Sequence, residues 1–129
     1  MSAIPPSSPA LLWTGRVLTA LPVLGLLMSG AMKVSQQPPV IESFVKYGYP
    51  EGVILPIGIL ELTAAILCVI PQTAVLGTVL ATGYLGGAVA THVGASEGPW
   101  APIIFAVLLW SGIALRDARL RDLLPLRKV

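Results

Sequence analysis

The chain alternates between long, nearly uncharged apolar runs and short polar joints. The runs cover about 11–32, 53–70, 74–93 and 101–115. A helix that crosses a bilayer needs about 17–25 mostly apolar residues. The last run is slightly short, but Pro99 and Trp100 can serve as its first turn. Four spans are therefore predicted, at about 11–33, 52–70, 74–93 and 99–116, within a single domain of residues 1–129. Short joints force neighbouring spans to alternate direction. The predicted fold is all-α: an integral membrane, antiparallel four-helix bundle.

The polar residues inside the runs are not scattered. Gly58, Glu61, Ala65 and Cys68 recur at spacings of three or four, and Ile54 extends that face. Gly77, Ala81, Tyr84, Ala88 and His92 form a similar line, as do Thr19, Pro22, Leu26, Ser29 and Lys33. Small residues at such spacing let membrane helices approach closely. Gly83 and Gly87 lie on an adjacent face and read as internal packing. Pro22 should kink or loosen the first span. In the first joint, Pro38 and Pro39 stop the chain. Val40, Ile41, Phe44 and Tyr47 then recur at helical spacing between Glu42, Ser43 and Lys46. This predicts a short amphipathic helix lying on the membrane surface as a lid. Trp13, Trp100 and Trp110 fall near span ends, where aromatic belts form.

Composition agrees with this pattern. The chain is 55% hydrophobic and only 11% charged, against about 25% charged in an average soluble domain. Arg116, Arg119, Arg121, Arg127 and Lys128 all follow the fourth run. By the positive-inside rule that end is cytoplasmic. Four spans then place both termini inside, in a cell inner membrane, with the first joint, which holds Lys46, and the third joint outside. A basic tail beside a bilayer contacts lipid headgroups; no nucleic-acid partner is implied. Arg16 comes late and the first apolar run is long, so the first span is read as retained, not cleaved. The chain has one cysteine, Cys68, which rules out dithiol chemistry within the chain and reads as a small core residue.

Glu61 carries the most information. It is the only acid inside 53–70. A carboxylate that deep is costly unless it is paired, protonated or facing a polar cavity. The candidate catalytic residues are Glu61 and His92. Lys33, Ser29, Tyr84 and Thr91 are candidate ligand-binding neighbours. Glu61 would exchange a proton, His92 would be its hydrogen-bond partner, and Lys33 would meet an anion or carbonyl. Each has a structural alternative: Glu61 as a packing acid, His92 as an interfacial cap, and Lys33 snorkelling to headgroups. Glu61 lies about eight residues in, or roughly 12 Å, level with Leu85 or Gly86 rather than His92. That depth describes a polar funnel open outward. His92 has no second ligand at metal spacing, so no metal site is expected.

Four segments also carry a family resemblance: Ser29-Gly30-Ala31-Met32-Lys33, Gly48-Tyr49-Pro50, Gly58-Ile59-Leu60-Glu61-Leu62 and the stretch from Gly83 to His92. In this order, across Gly15 to Arg116, the chain resembles the DoxX-like family of small bacterial membrane proteins. The resemblance implies a four-helix membrane bundle with polar positions at Lys33, Glu61 and His92. It also implies a link to quinone-dependent redox systems. Two functions follow as expectations. One is binding of a small hydrophobic molecule, such as a quinone or lipid-like metabolite, in an outer-half pocket, with a redox enzyme partner or a second copy. The other is a non-catalytic assembly partner. No cofactor is evident in the residues themselves, and the sequence leaves open whether the protein is an enzyme.

Overall fold

Ser8 starts the first helix. Its hydroxyl accepts from the Leu11 amide, and Pro9 occupies the first turn, where a missing N–H costs nothing. A computed structural model of the chain describes residues 7–124. The tip of the N-terminal tail and the basic residues Arg127 and Lys128 lie outside the described residues. Helix α1 runs Pro9–Val34 and passes through the buried Pro22 without interruption. Pro38 and Pro39 do not stop the chain. They open α2, Pro38–Lys46, because proline fits the first turn of a helix as well as it breaks an interior. A 3-10 turn, Glu51–Val53, leads into α3, Ile54–Val69. Helix α4 is Ala74–Gly94, α5 is Trp100–Arg116, and α6 is the short Ala118–Arg121.

The described residues are all-α. Three helical segments are long and apolar enough to cross a membrane: Pro9–Val34, Glu51–Val69 and Ala74–Gly94. Trp100–Arg116 is apolar but shorter. Helix α1 packs against α3 and α5, and α4 packs against the same two. The registers run in opposite directions. A Cβ on Gly15 would strike the Gly112 carbonyl at 2.6 Å, whereas one on Gly25 would strike Phe105 at 2.7 Å. One on Gly30 would meet Leu62, and one on Gly58 would meet the Cβ of Lys33, both at 2.8 Å. Glycine is thus required where α1 crosses α3, and that crossing sets the level of Lys33 against Glu61.

Size sorts residues between inside and outside. The core holds Val23, Leu26, Ala64, Ala65, Cys68, Ala81, Leu85 and Leu109. Trp13, Leu21, Leu24, Met28, Ile59, Ile66, Val79, Ile104 and Val107 point outward. In water such a surface would exceed the few hundred Å² of apolar patch a monomer usually shows; in lipid it is the solvated face. Threonine hydroxyls obey the same solvent. Those of Thr14, Thr19, Thr63, Thr78, Thr82 and Thr91 each donate to the carbonyl four residues back. No hydroxyl of that set is left bare in hydrocarbon.

The two ends differ. At one, Arg16 stacks on Trp13 at 4.9 Å, and Arg121 donates to the Ala114 and Leu115 carbonyls at 3.0 and 2.9 Å, capping α5 with a cation. At the other lie α2 and the α4–α5 turn. Trp100 is exposed as a belt residue should be. Trp110 is not: its indole donates to the Thr82 hydroxyl at 2.8 Å inside the bundle.

Candidate functional site

Lys33 sits in the last turn of α1. Helix side chains lean toward the N-terminus, so its stem points into the bundle rather than out to headgroups. The ammonium donates to Glu61 Oε2 at 2.8 Å and to Ser29 Oγ at 2.6 Å. It also lies 5.8 Å from the ring centroid of Tyr84, within cation–π range. The expected snorkelling is therefore corrected. The Gly30–Gly58 crossing brings α1 and α3 so close that Lys33 finds its counter-charge one turn inward. The pair is buried, with side-chain exposures of 10% for Lys33 and 1% for Glu61.

Glu61 and His92, whose direct contact the sequence leaves open, do not hydrogen-bond each other. Glu61 is held by Lys33, whose ammonium also faces the Tyr84 ring. Tyr84 is within a residue or two of the level that the depth argument gave for Glu61. His92 is two turns further out on α4. Its Nδ1 lies 2.7 Å from the Ala88 carbonyl oxygen. A carbonyl only accepts, so Nδ1 is the donor in this bond. The ring stands 5.9 Å from that of Tyr47.

Between these groups lies a cavity of about 520 Å³, within the range of small-molecule sites. Its wall is mostly apolar: Val40 and Phe44 from α2, Ile57 and Leu60 from α3, Gly83 and Gly87 from α4. Lys33, Tyr84, Thr91 and His92 reach it from the polar side. Glu61 and Ser29 stand behind that wall and hold Lys33. The six candidate residues thus divide into four that line the cavity and two that position one of the four. Gly83 and Gly87 are not the internal packing expected of them. Nothing lies within 4 Å of a Cβ at either, and both face the cavity.

The rim holds residues that sequence reasoning passed over. Glu97, in the α4–α5 turn, accepts from Lys46 at 2.6 Å and from the Tyr47 hydroxyl at 2.8 Å. These bonds hold the Glu97 carboxyl below the usual carboxylate range. The same carboxylate raises Lys46 and Tyr47 above theirs, again chiefly through the hydrogen bonds. Thr91 spends its proton on the Gly87 carbonyl, so the Tyr49 hydroxyl is the donor in the 2.8 Å Tyr49–Thr91 bond. A signal existed. Lys46 and Glu97 are opposite charges in two joints that the predicted topology puts on one side of the membrane.

A sequence model of the DoxX-like family matches residues 17–112. The chain belongs to the DoxX-like family. Together with the membrane-length apolar helices, this makes it a membrane protein. No curated protein and no solved structure shows significant similarity to the chain. Among the described residues, no group of three or more His, Cys, Asp or Glu is placed to hold a metal ion. Cys68 is fully buried against Thr78, the small core position the sequence suggested.

Proposed function

We propose that this DoxX-like protein binds a small hydrophobic molecule in the cavity beneath α2. One observation carries the reading: a mostly apolar cavity of about 520 Å³ ends on a buried ammonium, that of Lys33. An apolar wall accepts a ring or chain through burial. Two N–H groups of Lys33 are committed to Glu61 and Ser29, and the third is free for a carbonyl or oxyanion. A quinone or lipid-like metabolite has that chemistry. His92 Nε2, when the ring is neutral, and the Tyr84 hydroxyl provide a base and an acid on the same side of the cavity. Proton exchange with the ligand would pass through groups that line the cavity, and Glu61 would set the charge on Lys33. The orientation that suits a lipophilic ligand is four spans in the inner membrane, with both termini cytoplasmic and the cavity in the outer half. A redox enzyme partner or a second copy could then receive the ligand.

Mass spectrometry of lipids and quinones co-purifying with the protein tests the binding. Wild type should carry a lipophile that Lys33→Met/Glu61→Gln loses; equal content in both would end this reading. For orientation, a cysteine at the exposed Ser43 should react with an impermeant thiol reagent in intact cells, and one at Asp122 should not. The reverse pattern would put the cavity in the cytoplasmic half.

A second reading has its own support. The Lys33–Glu61 pair sits at the tightest crossing of α1 and α3, where it could serve only to fix helix packing in an assembly partner. Retention of function by the neutral double variant, once folded, would favour it.

A further inference from the structure

The cavity has a neighbour. A smaller one of about 320 Å³ is lined by Lys46, Tyr47, Tyr49, Ala90, Thr91, Gly94 and Ala95. Tyr47, Tyr49 and Thr91 line both cavities and form the partition between them. That partition is made of hydrogen-bonded side chains rather than packed helix. Tyr49 bonds Thr91, and Tyr47 bonds Glu97. The helix behind it is loosely seated. Helix α2 buries none of its residues and packs only lightly on α1 and the 3-10 turn. It is bracketed by two backbone positions of positive φ, Gln36 at 56° and Gly48 at 81°. Gly48 adopts this without strain, whereas Gln36 stores some.

We propose that Glu97 is the latch of a lid: by holding Lys46 and Tyr47 it keeps α2 closed over the main cavity, and its release opens the partition toward the smaller, outer one. This rests on the reading of the main cavity as a binding site. Glu97 is a positioning residue, since it touches α2 and not the cavity. Ser96, at φ 60°, turns the chain just before it and aims it back across α4. Three groups face the Glu97 carboxylate: Lys46 and Tyr47 from α2, and His92 from α4. Lys46 and Tyr47 favour its ionised form through their hydrogen bonds, and His92 does so when it carries a second proton. Neutralising Glu97 therefore removes the charge both α2 donors use, and acid does so without mutation. The latch bonds are exposed and individually weak, which suits a gate that must open at ordinary temperature.

The test uses the full chain in detergent, with Cys68→Ala and one reporter thiol. Ala88→Cys lines the main cavity, and Gly86→Cys, on the same helix, does not. The readout is the rate of modification by methyl methanethiosulfonate, taken as the ratio of the two thiols. Adding Glu97→Gln should raise that ratio about threefold or more at neutral pH, in keeping with a weak exposed pair, and acid should raise it in the unaltered latch. An unchanged ratio in both experiments would overturn the proposal. Menadione, followed by tryptophan quenching, separates this from the binding reading. Glu97→Gln should raise its association and dissociation rates together and leave Kd within about threefold. A shift in Kd alone would mark Glu97 as a ligand contact and overturn the latch. Absence of saturable menadione binding to wild type would count against a quinone-like ligand, and the thiol ratio would still decide the latch.

Discussion

The protein contains two Lys–Glu pairs that look alike by distance and differ in everything else. Lys33–Glu61, behind the cavity floor, is 2.8 Å long, with exposures of 10% and 1%. Lys46–Glu97, at the rim, is 2.6 Å long, with exposures of 68% and 32%. The shorter bond is the weaker constraint. At the rim, water solvates both ions whether or not they meet, so making the pair gains little and breaking it costs little. At the floor, both ions have left water. Neither can lose its partner without remaining as a bare charge in hydrocarbon. The floor pair is a fixed part of the bundle, and the rim pair is a contact that can be made and broken.

Removing one floor partner should give the largest effect. Lys33→Met leaves the Glu61 carboxylate buried without a cation, and loss of one member of a buried pair costs about 3–5 kcal/mol. Thermal unfolding in detergent should show that loss. Lys33→Met/Glu61→Gln, with no charge left to strand, should recover most of it. A single variant as stable as wild type would mean that the floor is as wet as the rim, and the contrast would collapse.

The contrast was only half legible in the sequence. Helical runs, their small-residue faces and the depth of Glu61 all follow from spacing at 1.5 Å per residue, a local property. The amphipathic α2 follows from its period in the same way. The partner of Glu61 does not. It depends on how far α1 slides along α3, which the Gly30–Gly58 crossing sets, and no pattern within one helix encodes that register. The same reason hid the cavity: Gly83 and Gly87 read as packing residues because small size predicts close approach, yet here it leaves space. Proline misled through position. At 38–39 it starts a helix, and the sequence alone shows only that it cannot continue one.

Glu61→Gln sharpens the floor side with a smaller effect. The buried Lys33 ammonium loses its counter-charge but keeps two acceptors, the new amide and Ser29, so it is not stranded as Glu61 is in Lys33→Met. Stability should fall by about 1.5–3 kcal/mol, the worth of a hydrogen bond to a charged group. Function should suffer more than folding, because the counter-charge that holds the Lys33 ammonium in place is gone. Menadione affinity should drop at least tenfold in protein whose unfolding is still cooperative. A stable Glu61→Gln protein with wild-type affinity would leave Glu61 a packing acid and nothing more.

The smallest effect belongs to the rim, where it should appear as a response to solution conditions rather than in stability. Glu97 is held below the ordinary carboxylate range, so its share of lid closure is present above that range and lost as pH falls through the lowered value. Lys46 and Tyr47 are raised, so their shares are complete below their ordinary values and lost only as pH climbs through the raised ones. The lid should therefore stay closed across neutral pH, open in acid, and open again in strong alkali. Salt should act only here, because exposed charges are screened over about 8–10 Å at 0.1–0.15 M ionic strength and buried ones much less. Raising salt at neutral pH should speed modification of the Ala88→Cys thiol relative to Gly86→Cys while the unfolding temperature stays put. If salt instead lowered the unfolding temperature and left the thiol ratio alone, the floor would be the screened pair and the rim the rigid one, the opposite of what their burial requires.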